Sequence, residues 1–313
     1  MLQSLEQQCP SAHVYVLCMD VQTLELLNTL QLNYVTCIAL ADMENDVLLA
    51  IKPTRSVAEY CWTLSSYFTG YVMQNNPQIE FLTYLDADLL FYSPVQPLFD
   101  EIGASSVAII EHRFTPRLQH LEVNGRFCVE WVGFRRDDEG LACLTRWRDQ
   151  CLEWCFYRLE EGRMGDQKYL DEWPGRYPSL CILQHPGAGI APWNYAQYTF
   201  GQNAQGVLTV NHAPLIFYHF HQFQLLEGGK FDRLSNFYTS ECQEPITVYV
   251  RYEAHLTKVL REVRRYVPTF NAGMKPTSQA LGRRWMHKIL PHWAHKYIPR
   301  WLMDLARRII SVA

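Results

Sequence analysis

Short apolar runs alternate with stretches of helical period along this chain, and that alternation predicts an α/β domain. Residues 13–19 (HVYVLCM) read as a strand running into Asp20, and residues 21–32 as an amphipathic helix. A second short strand is predicted over 34–40. A long helix over 56–74 follows Pro53, with Val57, Cys61, Leu64, Phe68 and Val72 on one stripe. Residues 81–85 form a buried strand that ends at Asp86; further strands are expected at 106–110 and 128–134, and a helix at 141–160. No repeat period is visible. A stretch bearing Pro and Gly, 267–282, separates this body from the C-terminal segment.

Composition narrows the class. The chain has 313 residues, 48% of them hydrophobic and 19% charged, which is enough apolar surface for a sizeable core. No apolar run is long enough to span a membrane, and the first residues lack a signal-peptide pattern, so a cytoplasmic protein is expected. The ten cysteines stand singly with no Cys-x-x-Cys, as expected of reduced thiols. Charge is unevenly placed. Residues 281–313 carry seven cations against Asp304 alone, a net of +6, which leaves the preceding body near −10 within the total of −4. So acidic a body disfavours nucleic acid as a partner.

The most informative segment is Asp86-Ala87-Asp88, set in the apolar run Phe81 to Tyr92. Two carboxylates among Leu, Phe and Tyr are costly to bury unless something positive meets them. A divalent cation is one such partner, and the end of a strand is where open α/β sheets place ligands. Caps or turn residues are the structural alternative. The run continues through Ser93-Pro94 to Pro97-Leu98-Phe99-Asp100-Glu101. Other pieces stand in a fixed order around it: Lys52-Pro53-x-Arg55-Ser56, Glu59-Tyr60-Cys61-Trp62-Thr63, His112-Arg113-Phe114, Asp166-Gln167-Lys168-Tyr169-Leu170, Pro192-Trp193-Asn194 and Tyr218-His219-Phe220-His221.

That order resembles the GT-A glycosyltransferases, in particular bacterial nucleotide-diphospho-sugar transferases related to glycosyltransferase family 8, the family of glycogenin. The resemblance spans roughly residues 4–225. It implies a GT-A, Rossmann-like fold with a mixed central sheet and flanking helices, assigned to residues 1–266; composition and charge then set off a linker over 267–282 and a basic aromatic helical tail over 283–313. It also implies a metal site of Asp86, Asp88 and His219 for Mn²⁺ or Mg²⁺. His221 is expected to face the same way if residues 217–223 are extended, as a second ligand or a diphosphate contact. Asp166 and Gln167 are implied to lie beside the sugar, where they stabilise developing positive charge or orient the acceptor; Asp166 also reads as a helix cap. Lys52, Arg55, Glu59 and Arg113 are expected near the donor nucleotide. Trp193 either stacks on a sugar or packs in the core.

The implied reaction moves a hexose from a nucleotide diphosphate sugar, a UDP-sugar in the resembling enzymes, to a glycan, lipid-linked glycan or lipopolysaccharide acceptor. Retention of configuration is the expectation, within bacterial cell-envelope polysaccharide synthesis. Two departures stand beside it. Cys128-Val129-Glu130-Trp131 occupies the place where the family tends to read Asn-x-Gly-Trp. Glu130 is therefore an active-site acid, a donor-specificity determinant or a sign of lost activity. The chain also opens inside what resembles the family's first helix, so the preceding strand and its nucleotide loop are expected to be missing. Both departures keep open a catalytically silent binding or scaffold module. An aspartate-based phosphohydrolase is disfavoured, because Leu89 follows the pair and the motif does not follow the first strand.

The tail places Trp285, Trp293 and Trp301 eight residues apart among cations. Such a segment suits the inner face of an anionic bilayer, at about 1 kcal/mol per cation near the surface. A helix packed on the domain with its cations solvated is the other reading.

Overall fold

The computed structural model describes residues 1–233 and 244–277 and divides into two compact units, Met1–His219 and the part from Phe220 onward. In the first unit the order begins α1 (Leu2–Gln8), β1 (Val14–Cys18), α2 (Val21–Leu30), β2 (Val35–Ala39), α3 (Leu40–Met43), α4 (Asp46–Ile51) and α5 (Val57–Asn75). It continues β3 (Phe81–Leu85), β4 (Leu89–Phe91), α6 (Gln96–Ile102), β5 (Val107–Glu111), β6 (Phe127–Arg135), α7 (Asp138–Glu153), α8 (Trp173–Arg176) and β7 (Leu180–Leu183). Short strands β8 (Phe200–Gln202), β9 (Leu208–Val210), β10 (Ala213–Pro214) and β11 (Phe217–His219) close it.

The fold is mixed α/β. Its main sheet has the order β3-β6-β5-β7, with β6 antiparallel to both neighbours and β7 parallel to β5. β1 and β2 pair in parallel through α2, β4 pairs antiparallel with β11, and β8 to β10 form a meander.

Local chemistry sets the helix starts. Asp20 accepts from the Thr23 N–H, Asp137 from the Gly140 N–H, and Ser56 and Glu59 form a reciprocal capping box on α5. The buried face of α5 keeps Leu64 and Val72 of the predicted apolar stripe but leaves Val57 and Cys61 out. Val57 is 82% exposed, whereas Tyr60, Thr63, Leu64, Ser65, Ser66, Thr69, Val72 and Met73 are buried. Small hydroxyl residues occupy the face that lies close to α7 and β3, because their side chains bond back to the helix carbonyls while allowing near approach. The helix predicted over 141–160 starts earlier and stops at Glu153; Trp154 turns to extended backbone and buries its ring, and Cys155 follows it into the interior.

One core cluster gathers Val107, Ile109, Val132 and Phe134 of the sheet with Cys143, Leu144, Trp147 and Cys151 of α7 and Trp173 of α8. Trp147 stands edge-on to Trp173, ring centroids 5.8 Å apart, and is stacked near Phe134 at 6.0 Å. On β6, Gly133 is required by close approach: a Cβ there would sit 2.6 Å from the Phe81 ring.

In the second unit, β12 (Gln224–Leu226) and β13 (Lys230–Asp232) pair as a hairpin, followed by α9 (Ile246–Tyr266). Phe220 stacks on Tyr252 at 3.6 Å, and Arg233 forks onto Glu253 and reaches Glu244. Among the described residues no helix is long and apolar enough to cross a membrane. The basic tail, 283–313, lies outside the described residues, as does the end of the expected linker.

Candidate functional site

The geometry around Asp86 follows from strand pairing. β3 delivers its end at Leu85, the chain turns through Asp86-Ala87-Asp88, and β4 begins at Leu89. The antiparallel register of β11 on β4 then pairs His219 with Leu89, which sets the histidine beside Asp88 across 131 residues of sequence. The other edge of β11 is held by the His219 N–H donating to the Ile190 carbonyl at 2.8 Å. The His219 Nε2 lies 3.0 Å from Asp88 Oδ1 and 3.8 Å from Asp86 Oδ2. Its Nδ1 lies 2.6 Å from Glu130 Oε2.

Glu130 reaches the histidine through a bulge. Along β5, Ile109 pairs with Val132 but Ile110 pairs with Cys128, so residues 129–131 are extra on β6. Phe127 and Val129 join the cluster around Trp147, and so do Val132 and Phe134. Parity therefore flips between 129 and 132, and Glu130 and Trp131 are both turned the other way: Glu130 onto His219, Trp131 stacked on Phe217 at 5.7 Å. The Asp86 N–H donates to the Glu130 carbonyl at 3.3 Å, tying the bulge to the aspartate turn.

The cluster is graded in exposure. The side chains of Asp88 and Asp86 are 43% and 30% exposed, His219 is 4% and Glu130 is 0%. Burial pushes the Asp86 carboxyl up to about 6, with His219 opposing and Asp88 reinforcing the rise. The His219 imidazole is penalised by burial, yet the surrounding carboxylates, Asp88 first, hold its pKa well above the usual histidine value. Carboxylate oxygens and an imidazole nitrogen are donors that a hard divalent cation takes, and Asp88 and His219 present theirs within 4.8 Å of one another. Glu130 Oε1 is buried with no hydrogen-bond partner among the described residues.

Asp166 sits at the start of the turn 167–172, 7% exposed, accepting from Ser65 Oγ at 2.7 Å; burial raises its carboxyl to about 7, and the Asp86 charge adds to the rise. No side-chain cap bond is made there. Gln167 donates to the Asn124 carbonyl at 3.0 Å. Trp193 is a buried wall: its ring stands edge-on to His219 at 5.2 Å and its N–H donates to the His112 carbonyl.

Comparison with known proteins gives two relatives from Bacillus subtilis (strain 168), both carried as uncharacterized proteins. YfnF is 32% identical over 280 residues, which covers 87% of this chain and 91% of YfnF. YfnD is 33% identical over 280 residues, covering 88% of this chain and 89% of YfnD. The chain belongs to the family of YfnF and YfnD. No protein-family model matches it. Among solved structures, the apo crystal structure of mouse xyloside xylosyltransferase 1 aligns at 12% identity and a TM-score of 0.39, over 67% of this chain and 85% of that one. So loose a likeness carries no argument.

In this member of the YfnF and YfnD family, Lys52, Arg55, Glu59 and Arg113 each have protein partners. Lys52 pairs with Glu44 at 2.6 Å, and Glu59 closes the capping box and accepts from the Tyr157 N–H. Arg55 donates to the Cys151 and Leu152 carbonyls at the end of α7, with its guanidinium 4.1 Å from the Phe156 ring. Arg113, in the left-handed region at φ 48°, donates to the Ala188 carbonyl at 2.8 Å. The extended run expected over 217–223 is shorter: β11 ends at His219, and Gln222 takes φ 61°. His221 falls in the second unit. Sequence reasoning missed the partnership of Glu130 with His219, and the only signal for it was an acid in an otherwise apolar strand.

Proposed function

We propose that this chain is a metal-dependent glycosyltransferase that moves a hexose from a nucleotide diphosphate sugar to a glycan acceptor. The observation that carries this reading is the convergence of His219 Nε2 on the Asp86-Ala87-Asp88 turn from a distant strand. Such a pattern of two carboxylates and one imidazole, half open to solvent, suits Mn²⁺ or Mg²⁺. Asp86, Asp88 and His219 would hold the cation, which when bound supplies positive charge to the leaving diphosphate. Asp88, the most exposed of the three, faces the incoming ligand. Asp166, with a carboxyl near neutrality, is able to hold or release a proton at Oδ1 while Ser65 fixes Oδ2. Trp193 walls the imidazole. Gln167 braces the loop at Asn124. A UDP-sugar donor, a lipid-linked or lipopolysaccharide acceptor, retention of configuration and peripheral contact with the inner face of the membrane complete the proposal.

The test is a screen of nucleotide sugars for Mn²⁺-dependent hydrolysis or transfer. The Asp88→Ala variant is expected to lose at least about 100-fold of that activity, equivalent to roughly 2.7 kcal/mol of barrier. Undiminished turnover in the variant removes the site. A silent binding module is the second reading, favoured by the acid at position 130, where the resembling enzymes tend to carry glycine. Calorimetric titration with UDP and Mn²⁺ separates the two: binding without turnover of any nucleotide sugar supports the module.

A further inference from the structure

We infer that Glu130 is a positioning residue for His219, one that sets which imidazole nitrogen meets a cation and how tightly; this rests on the cation site proposed above. The Glu130 carboxylate is completely buried and lies 2.6 Å from Nδ1, the distance of a charge-assisted hydrogen bond. With the Nδ1 proton held by Glu130, it is the Nε2 proton, on the side of Asp86 and Asp88, that a cation would displace. A carboxylate behind a ligating histidine fixes its tautomer and raises its basicity, and loss of such a partner typically costs about 10- to 100-fold in metal affinity.

Two further features make the arrangement specific. The bulge in β6 exists at the very residues that turn Glu130 toward the ring, and the Asp86 N–H on the Glu130 carbonyl ties the same backbone to the ligand turn. The ring itself is held between the Glu130 carboxylate and the edge of Trp193. Cys128 Sγ also lies within 4.8 Å of the Glu130 and His219 donor atoms. That opposite side is a candidate for a thiophilic metal on Nδ1. Exposure decides between the two sides: Cys128 is 4% exposed and Glu130 0%, whereas the aspartates on the Nε2 side are open to solvent, so a cation arrives there.

The experiment is an electron paramagnetic resonance titration of free Mn²⁺ against the full chain as wild type and as Glu130→Leu, Glu130→Gln, Cys128→Ser and His219→Ala variants, without nucleotide. Leucine removes the bond at similar volume and is expected to weaken binding about 10- to 100-fold. Glutamine keeps an acceptor for the Nδ1 proton and is expected to restore most of the loss. Serine at 128 is expected to change nothing. Nitrogen-15 histidine spectra of the Mg²⁺-saturated protein supply a signature that a merely structural role does not move. The His219 proton is expected on Nδ1 in wild type and in the glutamine variant. Wild-type affinity in the leucine variant overturns the inference alone. So does a His219 proton on Nε2, in either wild type or the glutamine variant, which decides the matter even where leucine prevents folding. Weakening by Cys128→Ser moves the cation to the thiol side and equally overturns it. No Mn²⁺ binding by wild type, or binding unchanged in His219→Ala, removes the underlying cation site as well.

Discussion

Asp166 shows how burial at a single residue becomes a measurable property of the protein. Its carboxyl is raised to about 7 in the folded chain by desolvation, against about 3.9 when unfolded. Between those values the folded state holds a proton that the unfolded state has released. The stability tied to this group is therefore fully present below about pH 4 and lost as pH rises through about 7. Asn at position 166 has no proton to lose. In metal-free buffer, the melting temperature of Asp166→Asn minus that of wild type is expected to grow more positive from pH 5 to pH 8; a difference that stays level would contradict the assigned environment. The acidic character of Asp86, Asp88 and Asp166 was legible in the sequence, but the degree of burial that perturbs each was not. Neighbours such as Ser65, 101 residues before Asp166, determine it.

Among the elements, β6 carries the most consequence. Its alternation is broken by the bulge, so one strand serves the core with Phe127, Val129, Val132 and Phe134 and the site with Glu130. Gly133 lies where the Phe81 ring covers the strand. Gly133→Ala is expected to cost about 1–3 kcal/mol in urea unfolding through overpacking. Combining it with Phe81→Leu, which vacates the space, is expected to cost less than the sum of the two single changes. Additive losses would show that the ring is not the obstacle. Helices α2, α5 and α7 were legible from their period, a signal that repeats at each turn, whereas the start of α7 at its cap Asp137 was not. β4 and β11, three residues each, were not separable from their apolar surroundings: strands that short are defined by pairing with each other.

At the scale of the whole molecule, a cation that binds the folded chain and not the unfolded one stabilises it by mass action. At 100 times its dissociation constant, Mn²⁺ is expected to add about 2.7 kcal/mol. Thermal melts with and without Mn²⁺ read this directly, and the combined Asp86→Ala and Asp88→Ala variant is expected to show no gain. An equal gain in that variant would place the cation elsewhere. The sequence by itself determined the alternation of strands and helices and the aspartate pair at the end of a strand, because period, turn chemistry and charge act over a few residues. Only the tertiary structure decided that His219 pairs opposite Leu89, that the β6 bulge turns Glu130 beneath its ring, and that small hydroxyl residues share the buried face of α5 with Leu64 and Val72. Those outcomes depend on register and close packing between segments far apart in the chain, and neither leaves a mark on any one of them read alone.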